Sequence, residues 1–207
     1  MPIKAFKDAK LRLADVLSPG QRAHLSYLML DDILTTLSTS GDVEGVTLVS
    51  SDISVATLAR QYQVDFFSTL IDGGYSHDAL EAITSRQEEN VDIMAIIPSD
   101  VPYLSHADLS HLNLGHEEGM TLCPAIMDGG TNALIFSPPL RVPLMFGVDS
   151  LRKYQSEAQR CDVPVKIEQI PGLQLDIDRP ADLRWLREQP SGGQAWSYIR
   201  DIEISEQ

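Results

Sequence analysis

Three aspartates in this chain stand where carboxylates could do metal chemistry: Asp100, Asp176 and Asp178. Asp100 follows the apolar run IMAIIP (93–98). Asp176 and Asp178 lie at the end of the run LQLDI (173–177), two residues apart. If both runs are strands of a parallel α/β sheet, these residues sit at carboxyl ends, where such sheets place their ligands. A spacing of two puts Asp176 and Asp178 on one side of an extended segment. Converging carboxylates suit Mg²⁺, a hard cation that takes oxygen ligands and leaves positions for water or substrate phosphate. Such an ion neutralises charge on a transferring phosphoryl group and aligns the attack. A plainer role also fits, with Asp178 capping a helix and Asp100 starting a turn.

The second group is basic. Three of the five lysines, Lys4, Lys7 and Lys10, fall in the first ten residues, and Arg12 follows, in a chain of net charge −14. Lys4, Lys10 and Arg12 could grip a nucleoside triphosphate while Lys7 extends the charge; the alternative is a solvated basic terminus. Residues 1–19 hold no glycine, which excludes the P-loop and the G-x-G-x-x-G fingerprint. The third group is two glycine turns. DGGTN (128–132) offers backbone N–H groups, with Thr131 and Asn132 as side-chain donors. FGVDS (146–150) offers Gly147 and a helix start expected to be capped by Ser150, an anion site in waiting. His106, His111 and His116, spaced by five, share no helix face and are expected at the surface, as is His24. His77 sits in the turn GGYSHDAL.

The elements that must carry these residues alternate as in an α/β fold. Ser18-Pro19-Gly20 starts a helix whose Leu30, Ile33, Leu34 and Leu37 share a face. Strands are expected at 46–50, 64–67, 93–98, 120–126, 133–136, 165–170 and 173–177, with 93–98 the central one as the most apolar run. Helices are expected over 54–62, after the glycine turn in 72–86, from the Ser105/Asp108 capping box, over 151–161, and from Pro180 as the final helix. Residues 1–190 read as one domain and 191–207 as a polar, acidic tail. Its Trp196, Tyr198 and Ile199 either cover the core or meet a second subunit, the basis for expecting a homodimer.

Composition limits the partners. The acidic balance argues against nucleic acid, whose phosphates demand clustered Lys and Arg. A local basic cluster can still focus a small anion against the net charge. No apolar run approaches the roughly 20 residues that span a bilayer, and no apolar segment follows the basic start as in a secretory signal. With Cys123 and Cys161 alone there is no disulfide framework, and a cytoplasmic location is expected.

Taken in order, these segments resemble the 2-phospho-L-lactate guanylyltransferase family of coenzyme F-420 biosynthesis. The family's Lys step and Ala-Lys-x-Arg-Leu run correspond to PIKAF and AKLRL. Its Pro-Ala-Asp-Leu-Pro corresponds to IIPSDVP (96–102), and its Gly-x-Gly-Thr-Asn-Ala-Leu to DGGTNALIF. Its Phe-Gly-x-x-Ser corresponds to FGVDSLRKY, and its Pro-Gly-Leu…Asp-Ile-Asp-x-Pro-x-Asp-Leu to PGLQLDIDRPADL (171–183). The matches run to about Leu186. The pattern differs at Tyr75–Leu80, where His77 stands in place of Asn, and at the start, where only Met1, Pro2 and Ile3 precede the Lys step.

The resemblance implies a Rossmann-like nucleotidyltransferase fold, of the nucleotide-diphospho-sugar transferase type, with a mixed, mostly parallel sheet flanked by helices. It implies a Mg²⁺-dependent transfer of GMP from GTP to a phosphorylated three-carbon acid: 2-phospho-L-lactate, phosphoenolpyruvate or 3-phosphoglycerate. Pyrophosphate leaves, and the activated acid passes to a downstream deazaflavin transferase. By position, Asp100, Asp176 and Asp178 would hold Mg²⁺. Lys4, Lys10 and Arg12 would hold the triphosphate, and the turn bearing His77 would face the nucleotide. Thr131, Asn132, Gly147 and Ser150 would hold the acid. A non-catalytic nucleotide-binding scaffold on the same fold, or an enzyme using another nucleotide, is the competing reading.

Overall fold

The computed structural model describes residues 1–69, 73–86, 91–190, 192–202 and 204. Asp72 of the expected glycine turn, and residues 191, 203 and 205–207 of the expected tail, lie outside the described residues. Among the described residues there are six strands: β1 (Thr47–Ser50), β2 (Asp65–Ser68), β3 (Met94–Ile96), β4 (Met120–Pro124), β5 (Thr131–Phe136) and β6 (Val165–Ile167). Among the same residues, seven α-helices surround them: α1 (Pro19–Thr39), α2 (Ile53–Tyr62), α3 (Tyr75–Ser85), α4 (His106–Gly115), α5 (Ser150–Arg160), α6 (Pro180–Glu188) and α7 (Gln194–Asp201). No described helix is long and apolar enough to cross a membrane.

The hydrogen-bonded ladders form two sets rather than one sheet. β1 and β2 pair in parallel, and Pro2 adds a single parallel bridge to Val49, all that forms of the first strand. The other set runs β3-β5-β4-β6. β5 is antiparallel to both neighbours and β4 is parallel to β6, so β5 is the one reversed strand of that sheet. The sheet is mixed, as expected, but its most apolar segment is not central. β3 lies at the end of the ladder, because the chain turns back after β4 and inserts β5 between them. β5 is buried on both faces, as its alternation records. Ala133 and Ile135 pack toward α1 and α4, and Leu134 and Phe136 toward α3 and α5.

α1 is the spine of the molecule. Ser18 caps it in a full capping box with Gln21, and Pro19 occupies its first turn. Its apolar face is wider than the expected stripe. Leu25 and Met29 join one cluster, Leu30 and Leu34 a second, and Ile33 and Leu37 a third. Each fully buried aliphatic side chain contributes about 1.5–3 kcal/mol, so α1 ties three cores into one body.

Two expected elements change. Residues 173–177 form no ladder; Leu173 ends a 3-10 turn, Pro171–Leu173, and the following residues run free of the sheet. The final helix is not α6 but α7, whose buried Ala195 and Ile199 join Leu25, Met29 and Leu183. The apolar residues of the tail therefore cover the core. Trp196 and Tyr198 pack on the same cluster.

Candidate active site

The basic loop is fixed from the N-terminus onward. Ile3 N–H donates to the Val49 carbonyl (2.8 Å), and Val49 N–H donates to that of Met1 (2.9 Å). Asp52, the N-cap of α2, accepts from Phe6 N–H (3.1 Å) with its second oxygen. The chain then enters a short 3-10 turn through Lys10, which adopts a left-handed conformation (φ 54°). Such a backbone is uncommon for a residue with a Cβ and marks a site held by its surroundings. Leu13 and Leu17, both buried, pin the turn and aim Lys10 inward.

Lys10 meets two of the three predicted aspartates. Its ammonium lies 2.6 Å from Asp100 Oδ2 and 3.7 Å from Asp178 Oδ1, with the lysine side chain only 7% exposed. Arg12, largely exposed, donates to the other oxygen of Asp178. The two acidic segments are stitched directly: Ile177 N–H donates to the Asp100 carbonyl (3.0 Å). The side chain of Asp178 does not cap α6. Asp182 does that work, its Oδ2 accepting from the backbone N–H groups of Asp178 (2.9 Å) and Arg179 (2.6 Å). Asp182 thus leaves the Asp178 carboxylate free to face the basic loop.

The electrostatics of this cluster are those of a cation site. Burial acts to lower the Lys10 pKa, but the charges of Asp100 and Asp178 outweigh it and raise it. Burial, then repulsion from Asp100, raises that of Asp176. A carboxylate resisted by its neighbours is stabilised by added positive charge. The donor set is all oxygen, as Mg²⁺ requires, and Mg²⁺ commonly takes only one or two protein carboxylates beside substrate phosphates. The residues present fit that ion. They are not gathered as tightly as a dedicated cage. Among the described residues, the trio with ligand atoms all within 4.8 Å of one another is His77, Asp78 and Glu81.

The two glycine turns form one unit. Gly130 N–H donates to Asp128 Oδ1 (2.8 Å), Asp149 N–H to the Asp128 carbonyl (3.3 Å), and Leu151 N–H to that of Gly129 (3.2 Å). Gly129 has φ +65°, and a Cβ on Gly130 would lie 2.6 Å from Asp128 Oδ1. Glycine is favoured at 129 by this backbone, and a side chain at 130 would push the Asp128 carboxylate off its hydrogen bond. Inside this unit Thr131 and Ser150 are buried, and neither hydroxyl has a hydrogen-bond partner. Ser150 is not the cap expected: Asp149, left-handed at φ 56°, occupies that position without a side-chain cap bond. Two buried hydroxyls left without partners in one loop unit are groups that a polar ligand would satisfy. Beside it, a cleft of about 490 Å³ is lined by Arg152 and Lys153 among others.

The remaining predicted residues divide. Gly147 is in the unit, with φ +121°. Asn132 is committed to structure, its Nδ2 donating to the Leu173 carbonyl (2.7 Å) and fixing the segment that leads to Asp176. Lys4 is exposed. His77 is exposed on the first turn of α3, its Nδ1 3.6 Å from Asp78 and 4.0 Å from Glu81. No described hydrogen bond or ion pair joins it to the Lys10 cluster. His116, expected at the surface, is buried between Thr121 (2.9 Å) and Ser137 (3.1 Å), because the chain leaving α4 folds back onto β4. Sequence reading missed Asp182, which PADL hid as an ordinary helix start. It also missed Tyr75, the aromatic that follows Gly73-Gly74.

The family described as "Guanylyl transferase CofC like" matches residues 1–207. A phosphoenolpyruvate guanylyltransferase of Roseiflexus sp. (strain RS-1) is 34% identical over 203 residues, covering 97% of this chain and 89% of its own. A 3-phospho-D-glycerate guanylyltransferase of Colwellia psychrerythraea is 30% identical over 190 residues, covering 90% and 89%. Among solved structures, a protein of Desulfovibrio desulfuricans G20 described as a nucleotide-diphospho-sugar transferase superposes with a TM-score of 0.77. It shares 18% identity and covers 97% of this chain and 92% of its own. That likeness establishes the nucleotidyltransferase fold expected from the sequence. With the family matched from end to end and the relatives covered nearly whole, the chain belongs to the CofC-like guanylyl transferases.

Proposed function

We propose that this protein transfers GMP from GTP to a phosphorylated three-carbon acid. The observation that carries the reading is the convergence of Lys10 with Asp100 and Asp178 on segments stitched to one another, with Arg12 beside them. A phosphate oxygen of the acid attacks the α-phosphorus of GTP. The bond from the α-phosphorus to the bridging oxygen breaks, and pyrophosphate leaves with the electron pair. The attacking phosphate is already ionised, so no side-chain nucleophile or base is required. The protein contributes positioning and charge neutralisation. Lys10 and Arg12, with Lys4 at the edge, hold the triphosphate. Mg²⁺ bound by Asp100, Asp176 and Asp178 would supply further positive charge to the transferring phosphoryl group. Thr131, Ser150 and the Gly147 backbone hold the acid, which supplies the partners that the two hydroxyls lack. The start of α3, with His77, faces the base.

The acid is phosphoenolpyruvate, 3-phosphoglycerate or 2-phospho-L-lactate, and the product serves a cytoplasmic deazaflavin transferase in coenzyme F-420 biosynthesis. The test is a matrix of four nucleoside triphosphates against the three acids with Mg²⁺, reading pyrophosphate release and product mass. Product from GTP with one of the acids is expected. GTP binding without turnover on any acid overturns the reading in favour of a nucleotide-binding scaffold, and product from another triphosphate overturns the guanine assignment.

A further inference from the structure

Tyr75 opens α3, and its phenol oxygen is buried with no hydrogen-bond partner. A buried donor left unsatisfied is costly, and a native structure keeps one where something else completes it. Its position is specific. The ring packs edge-on against Phe146 at 4.8 Å, and Ser76 Oγ accepts from Phe146 N–H at 3.2 Å. The start of α3 is thereby joined to the turn that carries Gly147 and Ser150. On the other side, Asp100 lies close enough for its charge, after burial, to help keep the phenol protonated. Tyr75 is thus linked through Phe146 to the turn that carries Gly147 and Ser150, within reach of the Asp100 charge. A second tyrosine provides the contrast. Tyr154 also packs on Phe146 (5.7 Å), but its hydroxyl accepts from Met145 N–H at 2.8 Å and is structurally employed.

We propose that the Tyr75 hydroxyl is a third donor to the phosphorylated acid, completing with Thr131 and Ser150 a hydroxyl-lined oxyanion pocket. This rests on the guanylyl-transfer reading above. A neutral phenol suits the task, since it donates a hydrogen bond to a phosphate or carboxylate oxygen and adds no charge beside Asp100.

The test compares Tyr75→Phe with Tyr154→Phe in the full chain. Removing an orphaned hydroxyl leaves nothing newly unpaired, so Tyr75→Phe is expected to melt no lower than wild type. Its KM for the acid should rise about tenfold, the scale of one hydrogen bond to an ionised group, with the KM for GTP within about twofold. Tyr154→Phe, which orphans Met145 N–H, should instead lower the melting temperature. An unchanged acid KM in Tyr75→Phe, or acid and GTP KM rising together, overturns the proposal. So does a fall in its melting temperature with acid binding intact. Should wild type turn over none of the acids, the guanylyl-transfer reading fails by itself. Calorimetric titration with phosphoenolpyruvate and inorganic phosphate then decides on Tyr75: weaker binding by Tyr75→Phe supports the assignment, and equal or absent binding overturns it.

Discussion

Lys10 shows how far one side chain can be read from its surroundings. Its ammonium is sealed against Asp100, so Asp100→Asn removes a proposed metal ligand and also leaves a buried charge with only the longer contact to Asp178. We expect this variant to lose turnover and about 1–3 kcal/mol of stability, at the low end for a buried pair because Asp100 is partly exposed. Adding Lys10→Met should restore the stability and not the activity. Wild-type stability in Asp100→Asn would show that the ion pair does not hold the loop. Ser150→Ala behaves differently, since its hydroxyl is already orphaned. It should melt as wild type does and raise the KM of the acid more than that of GTP. His116 carries a pH effect. Burial, then nearby Lys166, lowers its pKa from the ordinary 6.5. The unfolded chain therefore takes up the proton first, and stability falls as pH drops below 6.5. His116→Gln should flatten this loss between pH 8 and pH 5 in urea titrations; parallel curves would refute it. At this scale the sequence was legible in the residue types that carry charge, as for Asp100, Asp178 and Lys10. It was not legible for Tyr75 and Asp182, whose roles depend on which partners the fold provides or withholds.

Among the elements, α7 is the clearest case of structure supplied from elsewhere. Gly193 precedes it and gives no side-chain cap. The cap comes from α1: Asp32 accepts from the backbone N–H groups of Gln194 (2.7 Å) and Ala195 (2.9 Å), and Asp31 accepts from the Gln194 side chain. Losing a cap costs about 1 kcal/mol, which for a chain of this size corresponds to about 2–4 °C. Asp32→Ala should melt lower by that amount, with amide exchange rising first in 194–201. Protection unchanged in α7 would show that burial of Ala195 and Ile199 suffices. An eight-residue polar helix is invisible to periodicity when its cap lies about 160 positions away. The same reason explains 173–177. Its apolar alternation is real, and Leu173 and Ile177 are buried. Yet its backbone bonds go to the Asn132 side chain, Ile126 and Asp100 and not to the backbone of a neighbouring strand.

For the whole molecule, a net charge of −14 means self-repulsion in the compact state. Salt screens it over a Debye length of about 8 Å at physiological ionic strength. The melting temperature should therefore rise from low salt to about 0.15 M and then level off. A fall would mean that the surface ion pairs outweigh the repulsion. Against that field, the N-terminal loop, with Lys4, Lys7, Lys10 and Arg12, is a local concentration of positive charge that attracts a small anion.

The sequence by itself determined the alternating α/β class, the two glycine turns, the basic loop and the identity of the three aspartates. Each of these is local: a period, a turn residue or a charge within a few positions. Tertiary structure decided the rest. It placed β5 and not β3 at the centre, because a reversed strand inserts without any mark in its own residues. It moved the capping duty from Asp178 to Asp182 and so released a carboxylate. It set Lys10 between aspartates 90 and 168 positions away, and left Tyr75, Thr131 and Ser150 buried without partners. Contacts over such separations depend on how the layers stack, and one-dimensional spacing does not encode that.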